Sequence, residues 1–301
     1  MPLGQRLRVN LRQHRLHCAN DRPFAYRIAG FPFVCIPGFP DSEDVYLTGE
    51  ADEPEFSLWR AWLEPGDAVV DVGANLGLYT ACACHLLHGR GAILAVEASP
   101  ELAKNLKTCA TLLGWRGVEI EAVAASDEAA DVALFAAPSG RGTGGQTLYR
   151  DRSRNSEYVP RTVPMATLAA MVGRHPAVTL PAAVKLDIEG AEVRALRGAP
   201  DGWFAPDGPL WIVEINPGAL ARAGESPAGI MERFRESAFA CRLLPQYPHA
   251  GGRTLPARPV AARETFSEAL FYNLLAVPRG DRFAARRRRL KHCLPDASLP
   301  L

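Results

Sequence analysis

The 301-residue chain has no apolar run long enough to cross a bilayer. Its N-terminus is polar and basic, without the apolar stretch of a secretory signal. It also has little net charge: 34 Lys and Arg face 33 Asp and Glu. That removes any bulk electrostatic case for nucleic acid as a partner. Cysteine is scarce and unpaired. The residues at 18, 35, 82, 84, 109, 241 and 293 are odd in number and contain no C-x-x-C spacing. They suggest no zinc site and read as small buried apolar residues. A reducing compartment fits, and with no signal segment the chain is expected to be cytoplasmic. Internal repeats are absent too.

The residues that are present follow an α/β pattern. With 48% hydrophobic residues, the length suffices for one large α/β domain with additions or for two small domains. Residues 1–60 form a preface. Met1 to Asn20 is basic and weakly patterned, as a frayed arm would be. Phe24–Ile28 and Phe31–Ile36 are apolar pieces cut by Gly and Pro, and read as a small hairpin or edge strands. An acidic stretch, Asp41 to Glu55, leads into Phe56–Leu63, which has helical apolar spacing and stops at Pro65-Gly66. From Ala68 the pattern alternates: strand 68–71, helix 78–87, strand 92–97, helix 100–113, strand 118–125. Ser99 is set to cap the second helix, with Pro100 at its first position and Gly114 past its end. Short connections predict a parallel, doubly wound sheet.

Beyond it, Ala130–Phe135 and Tyr158–Val163 read as extra strands. They flank a loop rich in Gly, Ser, Thr and Arg, Pro138 to Asn155. Thr167–Val172, Gly190–Leu196 and Pro227–Ser237 read as helices. Ala183–Asp187, Leu210–Ile215 and Phe271–Val277 read as strands. Arg286–Lys291 is a basic run expected to be a solvated tail.

Ligands of open α/β sheets bind beyond the C-terminal strand ends. The residues there are Asp71 to Gly77, Glu97, Ser126-Asp127, Asp187 to Glu192 and Glu214 to Asn216, and most are acidic. The turn Gly73-Ala74-Asn75-Leu76-Gly77 opens a helix, whose N-terminal N–H groups can hold a ligand. It departs from the dinucleotide fingerprint because Asn75 replaces the glycine that admits a pyrophosphate. Asp71 opposes a phosphate as well: two unit charges about 4 Å apart interact by roughly 4 kcal/mol at an intermediate dielectric. A ligand with a cationic end and a ribose suits the turn better. Asp71 would draw the cation directly or through water. Gly73 and Gly77 would allow close approach, and Glu97 would accept from ribose hydroxyls. Ser126 and Asp127 are placed to reach an adenine amine. S-adenosylmethionine meets that description.

Three stretches then carry a resemblance: Asp71-Val72-Gly73-Ala74-Asn75-Leu76-Gly77-Leu78-Tyr79-Thr80, Val96-Glu97-Ala98-Ser99-Pro100, and Lys185-Leu186-Asp187-Ile188-Glu189-Gly190-Ala191-Glu192. Together they resemble the FkbM family of S-adenosylmethionine-dependent methyltransferases. Asn105, Leu196-Arg197-Gly198-Ala199 and Val213-Glu214-Ile215-Asn216 extend the similarity, which covers roughly residues 50–277. The first motif is common among methyltransferases; the K-x-D-x-E-G-x-E block is far more selective. Thr167-Leu168-Ala169-Ala170 departs from the family by lacking the acid common after Thr-Leu.

The resemblance implies a class I, Rossmann-like, mostly parallel sheet with a small N-terminal β/α extension. The expected divisions are 1–60 for the extension, 61–280 for the methyltransferase domain and 281–301 for a basic tail. It implies donor binding by Asp71, Gly73, Asn75, Gly77, Glu97 and Asp127, with Ala74 and Ser126 beside them. It also implies methyl transfer to an oxygen of a sugar, polyketide or other small metabolite. Glu53-Pro54-Glu55, just upstream of the turn, would fold over the methionine end.

Asp187, Glu189 and Glu192 are the catalytic candidates. An alcohol must lose its proton on methylation, and Asp187 or Glu189 is the best-placed base. Glu189 and Glu192 also sit where a helix begins, so their charge can merely serve the helix dipole. Asp187, Glu189 and Glu214 can alternatively supply oxygen ligands to Mg²⁺, although no spacing rule marks a metal site. Among the histidines only His249 suits a base. Gly140–Gln146 lacks the Lys-Ser/Thr end of a phosphate loop and reads as a substrate lid. Its Arg141, with Arg152 and Arg154, would meet an acidic or phosphorylated acceptor. The leading expectation is thus an O-methyltransferase for a small molecule or glycan. A donor-binding accessory module without catalysis is a second reading. A nicotinamide-dependent oxidoreductase is a third, disfavoured by Asp71 and Asn75.

Overall fold

A computed structural model describes residues 3–49, 53–136, 147–149, 159–235, 239–245, 247–248, 258–260 and 264–293. The preface holds α1 (Leu3–Cys18), β1 (Phe24–Ile28), β2 (Phe31–Cys35), α2 (Pro40–Thr48) and α3 (Glu53–Trp62). The alternating core follows with β3 (Ala68–Val72), α4 (Leu78–Leu87), β4 (Ala92–Val96), α5 (Pro100–Leu113) and β5 (Val118–Glu121). Next come β6 (Ala124–Ser126), β7 (Ala130–Ala136), β8 (Val159–Thr167), α6 (Leu168–Arg174) and β9 (Ala183–Leu186). The chain continues through α7 (Glu192–Arg197), β10 (Leu210–Ile215), α8 (Pro217–Arg222) and α9 (Pro227–Arg235). It ends with β11 (Phe239–Leu243), β12 (Tyr247–Pro248), β13 (Arg258–Pro259), β14 (Leu270–Pro278) and α10 (Ala284–Cys293).

One sheet organises them in the order β13-β11-β14-β10-β9-β3-β4-β5, with β12 also on β14. From β10 to β5 every pairing is parallel; β14 and β11 add antiparallel strands at the other side. This is a Rossmann-like α/β fold. Strand order reverses between β3 and β9, which is where such sheets open a crevice. The parallel strands are nearly continuous runs of Val, Ile, Leu and Ala because helices cover both faces. Trp59, Trp62, Phe56 and Phe283 fill one face, and Trp203, Trp211 and Phe234 the other.

α5 keeps the expected ends: the Ser99 hydroxyl accepts the Leu102 N–H, Pro100 opens the helix, and Gly114 closes it in the left-handed conformation. The preface hairpin forms as β1 paired antiparallel with β2.

Three segments differ from the sequence reading. Residues 118–125 are not one strand. β5 stays in the main sheet, and β6 turns off to pair with β8 in a small sheet of order β6-β8-β7. The break follows Glu121, which Arg174 and His175 hold at 2.8 Å each. The basic N-terminal stretch is a helix and not a frayed arm. Arg12 donates to the Leu47 carbonyl, and the Arg15 guanidinium sits 4.6 Å from the Phe24 ring centre. The basic run near the C-terminus is not a solvated tail either. It lies in α10, packed along α3, with Leu290 buried and Arg286 paired to Asp67 and Glu64. None of the described helices is long and apolar enough to cross a membrane.

Candidate active site

A cleft of about 230 Å³ opens at the C-terminal ends of β3, β4, β9 and β10. Gly73, Asn75 and Glu97 line one part, and Asp187, Glu189 and Glu214 another. Val123, Ala124, Ala125 and Leu134 add an apolar wall from the small sheet.

The glycine turn is shaped by packing. Gly73 has φ +81°, and a Cβ there would lie 1.8 Å from the Asp187 carbonyl oxygen. Only glycine lets the end of β3 press against the end of β9. The turn then leads to Asn75, also in the left-handed region at φ +50°. Its N–H donates to Glu97 Oε2 at 2.8 Å, while the Ser99 N–H donates to Oε1 at 2.8 Å. Each carboxylate oxygen thus spends one lone pair on the backbone and keeps another for a ligand. Burial pushes the Glu97 carboxyl up to about 7, against the pull of those two N–H bonds. A fixed two-oxygen acceptor at the wall of a partly apolar cleft fits a ribose diol with an adenine beside it.

The other donor-side residues have different surroundings. Ala74 lines the cleft, but Asp71 and Gly77 do not. Asp71 is 1% exposed and accepts the Thr80 hydroxyl at 2.6 Å, tying the end of β3 to the first turn of α4. Burial raises its carboxyl to about 6, with the Thr80 bond and Lys185 opposing. Gly77 closes the turn against α5, where a Cβ would meet Leu106 at 2.5 Å. Ser126 is fully buried and donates to Asp127, which is paired with Arg194. Burial alone would raise Asp127, but Arg194 holds it below its ordinary value. Neither lines the cleft; the wall there is Val123 to Ala125. The Asn105 Nδ2 is buried in α5 and lacks a partner.

At the opposite end, Lys185 Nζ lies 2.9 Å from Asp187 Oδ2 and 5.2 Å from the centre of the Tyr79 ring. Burial would raise Asp187, yet Lys185 and a hydrogen bond from Glu214 keep it below the ordinary carboxylate value. Glu214 is pushed well above that range, by burial first and then by the charges of Asp187 and Glu189. Burial and the neighbouring charges thus push the two carboxyls in opposite directions, Asp187 down and Glu214 up. Glu189 sits at φ +54°, with its carbonyl accepting from the Thr147 hydroxyl and its Oε2 from Asn216 at 3.3 Å. Burial and then the Asp187 charge raise it to about 7.

Glu192 has another role. It is fully buried, and its carboxylate accepts the Ile188 and Gly190 N–H groups, closing the loop ahead of α7. Glu55 is 2% exposed and accepts from Asn273 at 3.1 Å, and it does not line the cleft. The 140–146 loop, Arg152, Arg154 and His249 lie outside the described residues. Among the described residues no group of three or more His, Cys, Asp or Glu side chains is arranged to hold a metal ion. The magnesium expectation has no support in this geometry, where Lys185 Nζ already pairs with Asp187. The sequence collects Glu214 among the strand ends but offers it a chemical role only as a metal ligand, and it does not single out Tyr79. Pairing between β9 and β10, with Glu214 one residue before the end of the latter, is the available signal.

Comparisons with known proteins follow the same lines. No curated protein sequence matches the chain. Among solved structures, a methyltransferase FkbM from Methylobacillus flagellatus KT is 14% identical with a TM-score of 0.43, over 77% of this chain and 52% of that one. The chain thus spans about half the length of that protein. A putative O-methyltransferase from Klebsiella pneumoniae is 13% identical with a TM-score of 0.42, covering 77% and 81%. An S-adenosylmethionine-dependent O-methyltransferase from Thermotoga maritima is 13% identical with a TM-score of 0.37, covering 83% and 75%. The family model for the methyltransferase FkbM domain matches residues 71–241, from the acid that anchors the glycine turn to the strand beside β14. On that match, the chain belongs to the FkbM methyltransferase family.

Proposed function

We propose that this chain transfers a methyl group from S-adenosylmethionine to a hydroxyl of a small metabolite, sugar or natural product. The observation that carries the reading is the Glu97 carboxylate, fixed by two backbone N–H groups, in one cleft with the ionised Asp187 and the elevated Glu189. Glu97 would hold the ribose, Gly73 to Asn75 the methionine end, and Val123 to Ala125 the adenine. When bound, S-adenosylmethionine supplies an electrophilic sulfonium methyl.

The chain's own residues then have two tasks. The first is alignment of the acceptor oxygen, which lowers the entropic part of the barrier. The second is removal of its proton. Asp187 stays charged because Lys185 neutralises it, so it accepts a hydrogen bond from the acceptor hydroxyl and orients it. Glu189, at about 7, is matched to take the proton near neutral pH. Glu192 and Thr147 fix the loop that carries Glu189, which explains how a non-glycine residue holds a left-handed backbone.

Calorimetry with S-adenosylhomocysteine tests the donor half, and transfer of a labelled methyl to a panel of hydroxylated acceptors tests the other half. Tight NAD binding without S-adenosylhomocysteine binding would remove the reading. Donor binding with no transfer to any acceptor would favour an accessory module.

A further inference from the structure

The sheet face beneath α3 carries polar groups that the cleft chemistry leaves unused. Glu214, at the cleft, is directly opposite Asn273 on β14, so the two side chains share a face. Arg242 on β11 is opposite Leu275, two residues along β14 from Asn273, and so lies on that face as well. Asn273 donates through Nδ2 to Glu55 of α3, but its Oδ1 is buried and unpartnered. Arg242 is 2% exposed, and its Nε and Nη2 are buried with no hydrogen-bond partner. Glu214 Oε2 also lacks a donor, but Glu214 is hydrogen-bonded to Asp187. The Asn273 and Arg242 atoms have no such explanation.

Buried polar groups in folded proteins are almost always paired, and a buried guanidinium without an acceptor is costly. The two open Arg242 nitrogens are the ones that together form the edge gripping an oxyanion through two parallel N–H···O bonds. Distance also fits. From Glu214 the register moves two strands across and one rung, about 6.6 Å, down the sheet to Arg242. That is a Cα separation of roughly 12 Å at the usual strand spacing; neither Asn273 nor Arg242 lines the cleft itself, so the site reaches them beneath α3.

Resting on the methyl-transfer reading, we infer that the acceptor site extends from Asp187 and Glu214 along this face, and that Arg242 holds an oxyanion of the acceptor. The acceptor is then a hydroxylated acid or phosphate, with Asn273 Oδ1 receiving a second hydroxyl on the way. Arg242 is a specificity residue: it selects the molecule and takes no part in the proton transfer.

The test uses the full chain saturated with S-adenosylhomocysteine and three probes on one carbon skeleton: glycerate, glycerol phosphate and glycerol. Calorimetry is expected to show binding of glycerate or glycerol phosphate and none of glycerol. The stronger of the two anions identifies the group as carboxylate or phosphate. Arg242→Met should weaken that binding about a hundredfold and leave S-adenosylhomocysteine affinity unchanged. Its ligand-free melting temperature should not fall, because an unpaired buried charge is removed. All three probes behaving alike, or the variant binding the anion as well as the wild type, would overturn the proposal. The comparison of anions with glycerol needs no variant, so it decides even if Arg242→Met fails to fold. Loss of S-adenosylhomocysteine binding by the wild type strikes the methyl-transfer reading. S-adenosylhomocysteine binding without anion preference strikes Arg242 alone.

Discussion

Lys185 and Asp187 stand two residues apart on either side of the end of β9, with Nζ and Oδ2 2.9 Å apart. Lys185 is 3% exposed and Asp187 35%, so a buried cation looks out on the cleft through a half-open carboxylate. Lys185→Met removes that cation. Asp187 then loses its main stabilising charge and its pKa rises. Turnover should fall about tenfold or more, and the loss should deepen as pH falls and Asp187 takes up a proton, with S-adenosylhomocysteine affinity little changed. Breaking a fully buried pair costs about 3–5 kcal/mol, but the exposure of Asp187 reduces this to about 1–3 kcal/mol. Wild-type turnover across the pH range would remove Lys185 from the chemistry.

Glu97→Gln tests the donor end. Both carboxylate oxygens accept a backbone N–H, whereas glutamine offers one acceptor and one donor group. Either Asn75 or Ser99 is left facing an N–H. The ribose also loses one charged acceptor, and that loss, about 1–3 kcal/mol, corresponds to roughly a 5- to 150-fold weaker Kd for S-adenosylhomocysteine. Titration calorimetry reads it directly. Unchanged affinity would show that Glu97 shapes the turn without touching the donor.

The parts legible in the sequence were those whose signal is local. α4 and α5 begin and end where their glycines, Ser99 and Pro100 say they should. β10 was legible as a buried apolar run between turn residues. The bend after Glu121 was not, because it depends on Arg174 and His175, residues from α6 and just beyond it. α2 was hidden because only Ser42 and Tyr46 are buried, too sparse a stripe to show helical periodicity. In the site, the cleft-lining positions Gly73, Asn75, Glu97, Asp187 and Glu189 could be collected as strand ends. What each carboxylate faces could not. Asp71 bonds Thr80, Asp127 bonds Arg194 and Glu192 bonds backbone N–H groups, and each partnership requires knowing which way a side chain turns.

Glycine substitutions separate strain from collision. Gly73→Ala places a methyl 1.8 Å from a backbone oxygen at φ +81°, so β3 and β9 must part. The expected loss exceeds about 3 kcal/mol and takes donor binding with it. Gly30→Ala, at φ +89° between β1 and β2, meets nothing within 4 Å. It should cost only the conformational penalty, about 1–2 kcal/mol, and leave binding intact. Urea midpoints of the two variants, measured side by side, check the difference.

Arg286 offers the corresponding test of the C-terminal helix. It is 13% exposed and reaches Asp67 Oδ2 at 2.6 Å and Glu64 Oε2 at 2.9 Å. Asp67 is itself 11% exposed, and Arg286→Ala would remove its ion-pair partner and leave it the Glu64 N–H. Losing charge-assisted bonds of this kind costs about 1.5–3 kcal/mol. A solvated tail would lose nothing measurable, so a denaturation curve distinguishes the two.

The acids around the cleft set an unusual pH dependence. Burial raises Asp71 from 3.8 to about 6, and Glu97, Glu189 and Glu192 from 4.5 to about 7. Glu214 is raised further by the same cause. Between the unfolded and folded values the native chain keeps protons that the unfolded chain has released. Stability then falls as pH rises, because the slope follows the difference in protons bound. Glu64, Glu121, Asp127 and Asp187 shift downward, so their stabilisation is lost only at more acid pH. His85, lowered by burial and by Arg27, opposes the trend with a single proton. The ligand-free protein should therefore have a higher urea midpoint at pH 5 than at pH 8. Glu97→Gln should flatten that slope, since it removes a titrating group. A midpoint that rises from pH 5 to pH 8 would mean that these carboxylates are solvated in the native state, and that the cleft is wetter than its packing indicates.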